Sequence, residues 1–220
     1  MESTIFRKDK NGVYIYQLNI TPPWVYLAFI TSNLIQITWL FAWDREVFIA
    51  TLVLYVLLSI TLFIALVLSV IYLNKNEEKL RNMNMTTEIL IIQHLVQASL
   101  ILYASVIILF TLVNLSIVLT YRGVVTVMWS STISLIILTS LLINWFVVDI
   151  FIIKKSINQF VTLFPYTVVL VTIAGTISEN FDLVKTAGNS IFMLIILVLT
   201  FLFTIIKLIV IFLPKCQKLK

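Results

Sequence analysis

Six long apolar segments constrain the fold of this sequence more than any other feature. A helix needs roughly 20 mostly apolar residues to cross about 30 Å of hydrocarbon. Of the 220 residues, 61% are apolar and 11% are charged, whereas about 25% are charged in a typical soluble protein. These proportions exclude a secreted module, a cytosolic enzyme and a disordered tail, and they predict an all-α integral membrane helical bundle with about six transmembrane helices. The predicted spans are Pro22–Trp43, Val47–Leu73, Ile89–Thr120, Val124–Ile153, Phe160–Ile177 and Ser190–Leu213.

Prolines mark two of the predicted helix ends. The first span begins at the Pro22-Pro23 pair, and the last is predicted to end at Pro214, because proline cannot continue a helix. The fifth span is the shortest and contains Pro165. The chain therefore divides into an N-terminal segment (residues 1–21), the six-span bundle (22–213) and a basic tail (214–220).

Lysine and arginine are distributed unequally between the two ends of the predicted bundle. Eleven of them lie in the two termini and in the connections after the second and fourth spans. Three lie on the opposite side, namely Arg45, Arg122 and Lys185. Because positive residues in short loops accumulate in the cytoplasm, the sequence predicts that both termini are cytoplasmic. It does not indicate which membrane contains the protein.

Several chemistries find no support in the sequence. A single cysteine, Cys216, leaves no disulfide partner within the chain, and a single histidine, His94, does not provide a His-rich metal site. The net charge of +5 comes from residues at loop ends rather than on one continuous face, so nucleic acid is not a predicted partner. Because no nucleophile, base and acid can be grouped, we expect a protein that is not an enzyme and needs no metal or cofactor.

Polar residues within the spans are the best candidates for a binding site, because polar groups at membrane depth usually face protein or a water-lined cavity. In the first span, Asn33, Gln36, Trp39 and Trp43 recur at steps of three, three and four residues, which predicts one shared helical face. This face could line a ligand cleft. Alternatively, its amides only join helices by hydrogen bonds, and Trp43 belongs to the interfacial aromatic belt.

The third and fourth spans add further polar residues. His94 and Gln97 are three residues apart, and histidine is the side chain that titrates nearest neutral pH. His94 could transfer protons or bind a ligand, or it could simply face the interface as a neutral side chain. Asn144 and Trp145 are adjacent in the fourth span. Together these residues define a predicted cleft, lined by Asn33, Gln36, Trp39, His94, Gln97, Asn144 and Trp145.

Two charged residues in the spans are predicted to have structural roles. Asp149 lies close to the end of the fourth span, where we expect it to pair with Lys154 or Lys155. Lys207 lies about two turns before Pro214, and we expect its ammonium group to reach the headgroups by snorkelling. Glu46, in the short turn after the first span, is predicted to lie at the N-terminus of the second helix, where the helix dipole favours a negative charge.

Four stretches of the chain resemble known proteins, namely Asn33–Glu46, Asn114–Tyr121, Phe164–Tyr166 and Ser178–Phe181. They resemble an uncharacterised group of animal multi-pass proteins that are distantly similar to the tryptophan-rich sensory protein, or translocator protein, family. Members of the group have one more hydrophobic segment upstream, which predicts that this chain is an N-terminally shortened form. Translocator proteins themselves have five spans and a fuller signature of proline and tryptophan than this chain.

The resemblance implies a helical bundle that binds a lipophilic ligand such as a porphyrin or a sterol. The leading hypothesis is therefore a non-enzymatic binding or transport-like protein for a lipophilic small molecule, in contact with the lipid bilayer. One alternative is a structural or interaction protein whose polar residues only stabilise helix packing. Another is a chemosensory receptor-like protein that lacks one span and binds a signalling partner at the connection Asn74–Glu88.

Overall fold

Six long helices make up the fold in a computed structural model that describes residues 22–82, 86–151, 159–180 and 188–217. All six are long and apolar enough to cross a membrane, and the described residues contain no β-strand. The prediction of an all-α bundle with about six transmembrane helices is confirmed. The helices are α1 (Pro23–Asp44), α2 (Phe48–Asn82), α3 (Thr86–Tyr121), α4 (Val127–Phe151), α5 (Phe164–Asn180, after a 3₁₀ turn at Val161–Leu163) and α6 (Gly188–Gln217).

The second helix is longer than its predicted span. It continues through the polar sequence after Leu73 and ends at Asn82, and α3 begins at Thr86. Near this end Arg81 forms an ion pair with Glu77, one turn earlier, at 2.6 Å. The prediction of a connection over Asn74–Glu88 is therefore wrong for most of its length, because a polar extension can remain helical once the apolar part of the helix is packed.

Proline interrupts neither of the last two helices. Pro165 is the second residue of α5, in the first turn, where its missing N–H would have no helical partner in any case. The prediction that the last helix ends at Pro214 is wrong, because α6 continues to Gln217. Proline removes one backbone hydrogen bond there, and the final turn of the helix tolerates that loss.

The helices alternate in direction, and α3 is central because it contacts α2, α4 and α5. Helix α1 packs on α2, and α6 packs on α4 and α5. One apolar cluster lies between α2 and α3 and includes Leu58, Leu62 and Ile101, and a second joins α3 to the last three helices around Leu142 and Ile196. We call the end of the bundle at which α1 begins and α6 ends the terminal end.

Hydrogen bonds between side chains connect neighbouring helices. Thr51 of α2 donates to Asn114 of α3 at 3.2 Å. Ser130 of α4 bonds to Thr120 of α3 at 2.8 Å, and Thr132 of α4 donates to Asn189 of α6 at 2.7 Å. Each such bond contributes only about 0.6 kcal/mol on average in a membrane. Their main effect is therefore to fix the register of neighbouring helices.

Two turns opposite the terminal end have the same backbone geometry but different residues. After α1, the N–H of Glu46 bonds to Trp43 O, and the N–H of Val47 reaches back to Ala42 O. After α3, Gly123 and Val124 make the equivalent bonds to Thr120 and Leu119. Both turns are Schellman caps, which place one residue in the left-handed region. Glu46 therefore terminates α1, and it lies two residues before Phe48, the first residue of α2.

We expect Glu46→Gly to stabilise the protein by about 1 kcal/mol. Glu46 has φ 55°, and a left-handed conformation costs a residue with a Cβ roughly 1–2 kcal/mol, whereas glycine adopts it freely. Gly123 has φ 65°, and an added Cβ would meet nothing within 4 Å. The matched variant Gly123→Ala should therefore destabilise the protein by a similar amount through the backbone alone. Thermal unfolding in detergent measures both changes. A lower midpoint for Glu46→Gly would contradict a strained, left-handed backbone at Glu46.

Candidate functional site

A group of aromatic side chains joins α1 to α2 and α3 opposite the terminal end. The ring centroids of Trp39 and Trp43 are 5.7 Å apart, and those of Trp39 and Tyr55 are 4.8 Å apart. Two further rings extend this group. Phe48 contacts Trp43, and Phe110 stacks on Tyr55 with the ring centroids 6.3 Å apart. Such pairs contribute about 0.5–1.5 kcal/mol each beyond area burial. We call these five residues the aromatic wall.

One polar group in the aromatic wall lacks a partner. The indole Nε1 of Trp39 is buried and makes no hydrogen bond to any residue that the structure describes. One turn away, Gln36 accepts a hydrogen bond from the hydroxyl of Tyr103 on α3. The wall therefore combines flat apolar surfaces with a free donor, as is usual for ligand sites that orient an apolar molecule through few polar groups.

The predicted cleft residues of the third span lie near the terminal end, in a distorted part of the helix. Ile92–Gln97 form a π-helical segment, and the N–H of Ala98 bonds to Gln93 O, five residues back. His94, in this segment, is exposed. Gln97 is 0% exposed, and neither atom of its amide has a partner among the described residues. π-Helical segments are rare and are often found at functional sites, and nothing in the apolar pattern predicts this one.

The remaining predicted site residues lie in other environments. Asn33 and Asn144 are exposed at the surface of the bundle, and each donates to a carbonyl of its own helix, Phe29 O or Ser140 O. Trp145 packs against the second apolar cluster, and its buried Nε1 also lacks a partner in the described chain. The structure therefore groups Gln36 with Trp39, and it does not bring all seven predicted residues into one enclosed space.

A buried charge network, which sequence reasoning missed, lies nearer the terminal end. Lys207 Nζ of α6 donates to Asp149 Oδ1 of α4 at 2.5 Å and to Gln159 Oε1 at 2.7 Å. The hydroxyl of Tyr166 on α5 donates to the other carboxylate oxygen, Asp149 Oδ2, at 3.2 Å. Lys207 is 1% exposed and Asp149 is 0% exposed. The four side chains thus join three helices, and both carboxylate oxygens are hydrogen-bonded.

This network corrects the prediction for Lys207 and adds a partner for Asp149. The ammonium group of Lys207 does not extend to the bundle surface, because it is enclosed with its carboxylate partner. Asp149 pairs with Lys207, whereas Lys154 and Lys155, its predicted partners, lie outside the described residues. Two charges removed from water stabilise each other only when they are close and fully hydrogen-bonded, and packing α4 against α6 achieves that.

An open apolar groove of about 400 Å³ lies between α5 and α6. Its lining side chains are all apolar, namely Leu170, Val171, Ala174, Leu197, Val198 and Phe201. A lipid acyl chain fits such a surface, but the groove offers no polar group that would orient a ligand. It is therefore a weaker candidate than the aromatic wall for a specific site.

The described residues contain no group of three or more histidine, cysteine or acidic side chains that could bind a metal ion. A comparison of the chain with protein-family models, with curated proteins and with solved structures finds no match in any of the three.

Proposed function

We propose that the chain is a non-enzymatic binding or transport-like membrane protein for a lipophilic small molecule, and that the molecule binds at the aromatic wall. The observation that carries the proposal is the buried, unpartnered indole N–H of Trp39. A buried hydrogen-bond donor without an acceptor lowers the stability of the folded protein by about 1–3 kcal/mol. A bound ligand would remove that cost by supplying an acceptor.

The geometry of the wall also indicates the chemistry of such a ligand. Trp39, Tyr55 and Phe110 offer successive ring faces, which favour a flat or rigid apolar body, and Trp39 requires a hydrogen-bond acceptor on it. Porphyrins carry carboxylates and sterols carry a hydroxyl, so both classes satisfy this requirement. The resemblance of Asn33–Glu46 to translocator-like proteins favours the same two classes.

We expect a ligand of the correct class to raise the unfolding temperature of the purified protein by several degrees, because a ligand that binds only the folded state stabilises it. Trp39→Phe retains the ring and removes the donor, so it should reduce this shift sharply. Trp145→Phe is the matched control, since it removes an equally buried and unpartnered indole N–H from the other apolar cluster. Thermal unfolding in detergent against a panel of porphyrins, sterols and lipids measures the shifts.

An equal loss of the shift in both tryptophan variants would contradict a site at the aromatic wall. Ala174→Phe provides a second control, because it fills the groove between α5 and α6 and leaves the wall intact. If this variant alone removes the shift, the ligand binds in the groove. If no compound stabilises a folded sample, the proposal of a lipophilic ligand is wrong.

A structural or interaction role is the second candidate function. It is favoured by the way that polar side chains within the spans bond to each other, as in the pairs Thr51–Asn114 and Ser59–Thr111. If packing is their whole purpose, Gln36→Ala should destabilise the protein equally with and without ligand, because it removes the acceptor of Tyr103.

We also propose that both termini are cytoplasmic. The support is the charge distribution, with Lys75, Lys79 and Arg81 at the terminal end of α2 and Arg45 and Arg122 in the turns at the other end. In a Cys216→Ser background, an impermeant thiol reagent applied to the non-cytoplasmic side of the membrane should label a cysteine at position 185 but not one at position 79. The reverse pattern would overturn the orientation.

A further inference from the structure

Helix α1 presents a regular stripe of exposed side chains on the side that is turned away from α2. The stripe consists of Tyr26, Ile30, Asn33, Ile37 and Leu40, all of them exposed. Their spacing of four, three, four and three residues is the heptad spacing with which two helices pack side by side, knobs into holes. We call these five residues the α1 seam. Among the six spans, α1 has the smallest buried share, so most of its surface is exposed.

Asn33 is the one amide in the α1 seam, and it lies at the middle of the helix. At 1.5 Å per residue it is about 15 Å from either end of α1, so this short side chain does not reach the headgroups. Its Nδ2 donates to Phe29 O at 2.8 Å, which is the amide's one hydrogen bond within the described chain. The other N–H and the side-chain oxygen therefore have no partner among the described residues, at a depth in the span where unsatisfied polar groups are costly and rare.

We propose that the α1 seam is an interface with a second copy of this chain, with Asn33 of each copy hydrogen-bonded to Asn33 of the other. A carboxamide is self-complementary, because it has both a donor and an acceptor. A two-fold axis along the membrane normal would bring the two Asn33 side chains together and pair the remaining seam residues with their own equivalents. A single asparagine in an otherwise apolar seam also fixes register and oligomeric state in coiled coils.

The seam geometry provides a direct test by disulfide cross-linking in lipid vesicles. Cys216 is the single native cysteine, so Cys216→Ser gives a cysteine-free background. Ile37→Cys, in the seam, should form a disulfide-linked dimer under mild oxidation. Thr38→Cys is the matched control at the same depth, since Thr38 is also exposed but lies about 100° around the helix. Equal cross-linking through both positions would overturn the proposed seam.

The role of Asn33 is tested by the strength of association in vesicles at different protein-to-lipid ratios. For Asn33→Leu we expect the dimer dissociation constant to rise about tenfold, which corresponds to about 1.4 kcal/mol and lies within the range for interhelical polar contacts in membranes. The variant should remain folded, because leucine is compatible with a lipid-facing position. Asn144→Leu removes the exposed asparagine of α4 and should leave the dimer dissociation constant unchanged.

Energy transfer between donor- and acceptor-labelled copies measures the constant, and circular dichroism verifies the fold of each variant. A protein that stays monomeric at every protein-to-lipid ratio would overturn the proposal, and it would leave the seam to a different partner. A dimer that Asn144→Leu weakens and Asn33→Leu does not would place the interface on α4 instead. Neither outcome bears on ligand binding at the aromatic wall, which is measured separately by thermal shift.

Discussion

Lys207→Met is expected to lower the free energy of unfolding by about 3–5 kcal/mol, the range found when one partner of a buried ion pair is removed. The substitution leaves Asp149 charged, 0% exposed and without its cation. Tyr166 can still donate to the carboxylate, but one neutral hydrogen bond does not compensate a buried charge. Reversible unfolding in mixed detergent micelles measures the change. Lys79→Met, at an exposed position of α2, is the matched control and should change stability by less than about 0.5 kcal/mol.

The double variant Asp149→Leu/Lys207→Met distinguishes the ion pair from simple loss of packing. Replacing both charges by apolar groups of similar size is often close to neutral, so most of the lost stability should return. A residual deficit of about 1–2 kcal/mol is expected, because the buried hydroxyl of Tyr166 then loses its acceptor. If the two single effects simply add in the double variant, the side chains do not interact in the folded protein.

The charge network also shows where reasoning from sequence stops. Asp149 and Lys207 are 58 positions apart in the chain, and each is close to the end of an apolar segment. Sequence position therefore suggests snorkelling for one and a neighbouring lysine for the other. Only the packing of α4 against α6 brings the two charges together, and packing between distant segments leaves no local pattern in the sequence.

The six helices, by contrast, follow directly from composition. Each needs only a sustained apolar run of sufficient length, which is a local property. The boundaries that differ, at Asn82 and Gln217, lie in polar or proline-containing ends, where apolar length no longer decides whether the helix continues.

The candidate site was predictable in part. The stripe predicted for the first span contains Gln36 and Trp39, which contact Tyr103 and Tyr55 of the neighbouring helices, but it also includes Asn33. Six residues separate Asn33 from Trp39, and at about 100° per residue they lie about 120° apart around the helix. Trp39 faces α2, whereas Asn33 faces the surroundings of the bundle. Tyr55 and Tyr103 were not predicted, because a tyrosine within an apolar run does not reveal which helix its hydroxyl or ring will meet.

Gln97→Met is expected to raise the free energy of unfolding by about 1–3 kcal/mol, which is the cost of a buried polar group without partners. Gln97 is 0% exposed, and both polar atoms of its side chain are unpaired in the described chain. Methionine has a similar length and volume, so it should fill the same space without a cavity. The unfolding experiment used for Lys207 measures this change as well.

Gln36→Met is the matched control, because the same substitution there removes an amide that does have a partner. Gln36 accepts from Tyr103, so its loss should lower stability by about 1 kcal/mol. Opposite signs at the two glutamines would show that the amide of Gln97 is retained at a cost to stability, as is common for functional positions. If Gln97→Met instead destabilises the protein, the amide is already satisfied in solution. If Gln97→Met stabilises the free protein as expected and also removes the ligand-induced thermal shift, the bound ligand is the partner of the amide, and the binding site extends from the aromatic wall to the π-helical segment of α3.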